Sequence, residues 1–132
     1  MKGTCLCKSV SIVSEDTTEF EACHCGMCRR WGGGPFLAVH CGPNVTITGG
    51  DCLKVFQSSD WAERAFCGNC GTHLYYYLKP TGEYIVPLGL FGVETGFTFK
   101  QQIFLDKKPD FYAFLNDTEN LTEQQVFENF GA

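Results

Sequence analysis

The chain has 132 residues, 44% of them hydrophobic and 19% charged, a composition that packs and a length suited to one ordinary domain. Disorder is excluded by that balance and by the bulky apolar groups of 12 Phe and 5 Tyr. A net charge of -5 argues against nucleic acid as a partner, because phosphate backbones are held chiefly by an excess of Lys and Arg.

Residues 1–13 set cysteines and polar groups where a secretory signal needs a continuous apolar run, and no later run is long enough to span a bilayer. A cytoplasmic, reducing setting with no membrane partner is expected. Strand signals, alternating or rich in β-branched and aromatic residues, follow at Val10–Val13, Phe36–Cys41, Val45–Thr48 and Leu53–Ser58. They continue at Leu74–Leu78, Tyr84–Leu88 and Phe97–Leu105. Turn formers such as Gly42-Pro43-Asn44, Gly49-Gly50-Asp51 and Lys79-Pro80-Thr81-Gly82 separate them at the short spacing of antiparallel sheets. One helix is predicted, near the C-terminus, where Thr122 is the N-cap, Gln125 completes a capping box, and Val126 and Phe130 share a face. The reading is a mainly β chain of several small sheets with a short C-terminal helix. Nothing in the composition marks a linker, so a single domain spanning 1–132 is expected.

Nine cysteines, at 5, 7, 23, 25, 28, 41, 52, 67 and 70, are an odd number, and a reducing compartment opposes structural disulfides. Metal binding is the better explanation. Cys5-Leu6-Cys7 and Cys67-Gly68-Asn69-Cys70 each present two thiolates and together supply the four sulfurs of a closed tetrahedral zinc site. Against this stands the plain alternative that one pair is buried core cysteine. Cys23-His24-Cys25-Gly26-Met27-Cys28 packs three thiolates into six residues with no matching half-site elsewhere, the pattern of a second zinc with an open position. Two zinc ions per chain are expected. Cys41, Cys52, His24, His40 or His73 could instead close that fourth position. Arg29 and Arg30, directly after the cluster, favour thiolate and suit a carboxylate ligand, or else are a solvated basic pair.

Gly3-Thr4-Cys5-Leu6-Cys7, the Cys23–Arg30 run with Gly32 and Phe36, and Phe66-Cys67-Gly68-Asn69-Cys70-Gly71-Thr72 together resemble the glutathione-dependent formaldehyde-activating enzyme family. Weaker likeness runs through Gln102-Ile103-Phe104 and Lys107-Lys108-Pro109-Asp110-Phe111-Tyr112. The resemblance implies a zinc-containing β-tent fold, with structural zinc on Cys5, Cys7, Cys67 and Cys70 and catalytic zinc on Cys23, Cys25 and Cys28. It further implies a carbon–sulfur lyase chemistry run in reverse, joining glutathione to formaldehyde. Lys8 departs from the family pattern, in which a glycine commonly follows the second cysteine.

A thiolate nucleophile beside a metal with an open site is coherent chemistry, and Cys25, central in its cluster, is the expected reactive ligand. His24, His73 and Tyr75 are conceivable acids or bases that the sequence does not place. The competing reading is a non-catalytic zinc-binding β module that contacts a protein partner, its second cluster capped by a fourth ligand.

Overall fold

The computed structural model describes residues 1–130, and it divides the chain into two compact units, each assembled from two separate stretches. One comprises Met1–Thr18 with Val39–Gly96, the other Glu19–Ala38 with Phe97–Ala132.

In chain order the elements are β1 (Lys2–Thr4), β2 (Ser11–Val13), β3 (Glu19–Cys23), α1 (Gly26–Gly32), β4 (Phe36–Gly42) and β5 (Thr46–Thr48). There follow β6 (Leu53–Gln57), β7 (Ala62–Cys67), β8 (His73–Leu78), β9 (Glu83–Pro87), β10 (Thr98–Ile103), β11 (Glu119–Asn120) and α2 (Glu123–Phe130).

In the first unit, β1, β2 and β5 form a three-stranded antiparallel sheet in which Gly3 faces Ile12 and Ile12 faces Ile47. Strands β9, β8, β7 and β6 lie side by side in that order, antiparallel throughout, with Ala65 between Tyr75 and Val55. Val10, Ile12, Val39, Leu74 and Val86 are fully buried and carry this unit's apolar core. These are the inward positions that strand alternation offers.

In the second unit the order is β11, β10, β3 and the start of β4. Antiparallel pairing was the expectation, and it holds for β3 against β4, where Ala22 faces Leu37. Strand β10 departs from it, running parallel to both β3 and β11. Side-chain periodicity reports which face is buried and is silent on strand direction, so a non-local pair such as β3 and β10 is not given by it. Phe20 and Phe99 stack across this pair with ring centres 4.8 Å apart.

The predicted C-terminal helix is α2, and its start has the expected capping box. The Gln125 N–H donates to Thr122 Oγ1 at 3.2 Å, and the Thr122 N–H donates to Gln125 Oε1 at 2.8 Å. Val126 is buried against Cys23, Cys28 and Ile103, with Phe36, Phe104 and Leu121 packed around them. The Phe130 side chain lies outside the described residues. A second helix, α1, corrects the expectation of one. Its N-cap is Cys25, whose sulfur accepts from the Cys28 N–H, and Gly33 closes its C-terminus in the left-handed conformation at φ 86°. A thiol in place of the usual capping hydroxyl or carboxylate hid this start. Among the described residues no helix is long and apolar enough to cross a membrane.

The fully buried Leu74 on β8 sets the first expectation. Leu74→Ala, measured by urea unfolding of metal-loaded protein, should lower unfolding free energy by about 3 kcal/mol through lost burial and the cavity left behind.

Candidate metal centres

The first group lies wholly in the first unit. The sulfurs of Cys5, Cys7, Cys67 and Cys70 are all within 4.8 Å of one another. Cys7 Sγ stands 3.7 Å from Cys5 Sγ and 3.8 Å from Cys67 Sγ, although Cys7 and Cys67 are 60 residues apart in the chain. Sulfurs around a tetrahedral zinc, with Zn–S near 2.3 Å, stand about 3.8 Å apart, so this donor set fits that ion.

Two turns of similar design aim the sulfurs. In one, the Lys8 N–H donates to the Cys5 carbonyl at 3.0 Å, and in the other the Gly71 N–H donates to the Cys67 carbonyl at 2.8 Å. The residue after the second cysteine is left-handed in both, Lys8 at φ 68° and Gly71 at φ 78°. One residue further on, a hydroxyl meets the sulfur, Ser9 Oγ 3.2 Å from Cys7 Sγ and Thr72 Oγ1 3.2 Å from Cys70 Sγ. The Thr72 contact, foremost, holds the Cys70 thiol down to about 5, and the Ser9 contact, with help from Asn69, brings Cys7 to about 7. Val10 adds an N–H to Cys5 Sγ at 3.3 Å, and the Leu6 N–H donates to Thr72 Oγ1, tying one turn to the other. Ser9 and Thr72 escaped the sequence reading, although the repeated pattern of cysteine, turn residue and hydroxyl was there to be seen.

The second group lies wholly in the second unit and collects the sulfurs of Cys23, Cys25 and Cys28 within 4.8 Å. Cys23 ends β3, Cys25 caps α1 and Cys28 sits in its first turn, so a strand end and a helix start hold the three. The Cys28 N–H donates to Cys25 Sγ at 3.3 Å. Cys23 and Cys28 are buried, whereas Cys25 is half-buried. Hydrogen bonding to Cys25 and Cys28, then burial, pushes the Cys23 thiol far upward, since three crowded sulfurs cannot all ionise unaided. A divalent cation bound among them would supply the missing charge. Among the described residues no fourth Cys, His, Asp or Glu joins this group, and Cys41, Cys52, His40 and His73 stand outside both.

His24, between two of the sulfurs, is fully buried with both ring nitrogens engaged. Nε2 lies 2.8 Å from Gln102 Oε1, an acceptor, which makes Nε2 the protonated nitrogen and leaves Nδ1 to accept from the Tyr112 hydroxyl at 2.6 Å. Burial, above all, lowers the His24 pKa and keeps the ring neutral. In the sequence Gln102 and Tyr112 carry family likeness alone, and only three-dimensional proximity brings them to the His24 ring. Arg29 turns back toward the cluster, its Nε donating to the His24 carbonyl at 2.9 Å, while Arg30 is exposed. Of the two arginines, Arg29 is the one the structure fixes beside the sulfurs. Tyr75 belongs to β8, buried, its phenol pushed up to about 12 by burial.

Comparison with known proteins identifies relatives of this chain. The family model for the glutathione-dependent formaldehyde-activating enzyme matches residues 1–107. An uncharacterized lyase of Schizosaccharomyces pombe is 36% identical over 132 residues, covering 97% of this chain and 95% of that protein. The crystal structure of a Rhodobacter sphaeroides protein superposes with a TM-score of 0.61 at 28% identity, covering 71% of this chain and 91% of the other. With most of its length matched, the chain belongs to the glutathione-dependent formaldehyde-activating enzyme family.

Lys8 carries a conformational cost that Gly71 does not, since a left-handed backbone strains any residue bearing a Cβ. Lys8→Gly should therefore raise unfolding free energy by about 1 kcal/mol, read as an increase of a few degrees in Tm for the metal-loaded protein.

Proposed function

We propose that this chain, acting as one domain over residues 1–132, is a zinc-dependent carbon–sulfur lyase that joins formaldehyde to glutathione, or to a similar anionic thiol, and releases it again. The observation that carries the reading is the contrast between the two sulfur groups. Four cysteines complete one set, and three, with no fourth protein ligand among the described residues, leave the other a position to fill.

Zinc held by Cys23, Cys25 and Cys28 supplies a thiophilic, Lewis-acidic centre. Around it, this chain's own residues do the positioning. Cys25, half-buried at the helix N-cap, is the ligand within reach of an incoming thiol, and the first-turn N–H it accepts stabilises its thiolate. Arg29, anchored through Nε, has further guanidinium N–H groups for a carboxylate of the tripeptide, and the exposed Arg30 adds positive charge nearby. In the reaction the substrate sulfur bonds to the formaldehyde carbon, the carbonyl π pair moves to oxygen, and the thiol proton ends there to give the hydroxymethyl adduct. Reversal breaks the same C–S bond. A reducing, cytoplasmic setting accords with nine cysteines of which none forms a disulfide.

Exchange of 13C-formaldehyde with glutathione, followed by NMR, should be accelerated by metal-loaded protein well beyond the uncatalysed rate and should return to it with Cys25→Ser. No acceleration by protein carrying two zinc ions would sink the lyase reading and favour the binding module.

The two groups should also differ in their bearing on folding. Cys67→Ser removes a ligand from the centre that joins distant chain segments, where zinc binding energy on the order of 10 kcal/mol is also folding energy. That variant should be largely unfolded or insoluble. Cys25→Ser, in a cluster local in sequence, should keep the parental circular dichroism and the first zinc while losing the second. Equal unfolding of both variants would contradict this division.

A further inference from the structure

His24 is the residue between two of the three sulfurs, and every hydrogen-bonding group it has is taken. Its N–H donates to the Ile103 carbonyl at 3.1 Å and its carbonyl accepts from Arg29 Nε at 2.9 Å. Its ring is held on one side by Gln102 and on the other by Tyr112. Gln102 is itself fixed, its Nε2 donating to Thr118 Oγ1 at 3.0 Å, and Thr118 donates in turn to Asn120 at 2.9 Å. Tyr112 is fastened by Lys108, whose ammonium donates to the Tyr112 and Pro109 carbonyls and sits 5.0 Å from the Tyr112 ring centre. Tyr112 and Phe114 both lie against the imidazole, with ring centres 5.6 Å and 6.0 Å away.

We propose that Tyr112, held by Lys108, is a positioning residue for the three-cysteine centre, fixing the His24 ring and through it the backbone that spaces Cys23 from Cys25. The inference rests on reading those cysteines as metal ligands. The family match ends at residue 107, so Lys108 and Tyr112 lie outside the matched residues, although residues 107–112 carry weaker likeness to the family in sequence.

The physical reasoning is that of ordered ligands generally. A neutral imidazole with one donor and one acceptor nitrogen has a single orientation in which both are satisfied, and here the Gln102 carbonyl and the Tyr112 hydroxyl define it. Removing the Tyr112 hydroxyl leaves Nδ1 buried without its donor, at the cost of an unmet polar group, and lets the ring and its backbone shift. The sulfurs on either side then lose their fixed separation, and groups that orient metal ligands typically affect metal affinity by about 10- to 100-fold.

Tyr112→Phe keeps the ring contacts and removes one oxygen, and Lys108→Met removes the fastening without touching His24. Both variants and the double variant would be loaded with cobalt(II), and metal release to a chromophoric chelator timed beside thiolate-to-cobalt charge-transfer absorption. The expected result is two metal equivalents in the parent, one leaving about tenfold faster in each variant with an altered charge-transfer band, the other unchanged. The double variant should add little to Tyr112→Phe, since both act through one imidazole. Parental release rates in both variants, equal acceleration of both equivalents, a parent holding one equivalent, or loss of the fold in both variants would each overturn the proposal. A parent with two equivalents and the expected release pattern but no formaldehyde exchange would remove the lyase reading and leave this inference standing.

Discussion

Sulfurs crowded within a few ångströms of one another cannot all carry negative charge unless a cation stands among them, and this chain contains two such crowds. That constraint explains why so much of the surrounding structure consists of donors aimed at sulfur. In the four-cysteine group the backbone of Val10 and the hydroxyls of Ser9 and Thr72 approach the ligands. At the three-cysteine group the helix that begins at Cys25 supplies the N–H. In each case the local backbone conformation follows from the need to point a donor at a sulfur, down to the left-handed Lys8, which tolerates strain to complete its turn.

The two centres differ in what they join. Cys7 and Cys67 bring together chain segments 60 residues apart, so an ion held between them would act as a cross-link between distant parts of the chain. Cys23, Cys25 and Cys28 span six residues and cross-link almost nothing; their geometry must come from the protein around them. A buried floor of Ile103 and Val126 lies beneath, and the saturated His24 stands between. A centre that contributes little to folding can leave a coordination position to a ligand without endangering the fold.

Much of this was readable from sequence, because the informative signals were local. Cysteine spacing gave both groups, alternation located β2, β4, β5, β6, β8, β9 and β10, and Thr122 with Gln125 marked the start of α2. What escaped has physical reasons. Strand β11 is only two residues long, too short for alternation to register, β1 has a glycine and so no apolar side chain at its buried position, and β3 carries two glutamates that dilute its apolar pattern. Strand β7 holds Arg64 at a buried position, 4.9 Å from the Tyr76 ring centre, and a charged residue there reads as exposed. The two compact units carry no linker signature because the chain passes between them more than once, in part within β4 itself.

His24 shows where residue type alone misleads. Next to two cysteines, a histidine invites assignment as ligand or base, and both are roles that need a free nitrogen. Burial beside Gln102 and Tyr112 takes both nitrogens, so its chemistry is spent on holding its own ring still. The same principle accounts for Arg29, whose Nε is committed to the His24 carbonyl. Arg29 is thus fixed to the backbone between Cys23 and Cys25, so on the proposed reading of Arg29 as a carboxylate contact, an anion bound there would bear on the same backbone that spaces the sulfurs.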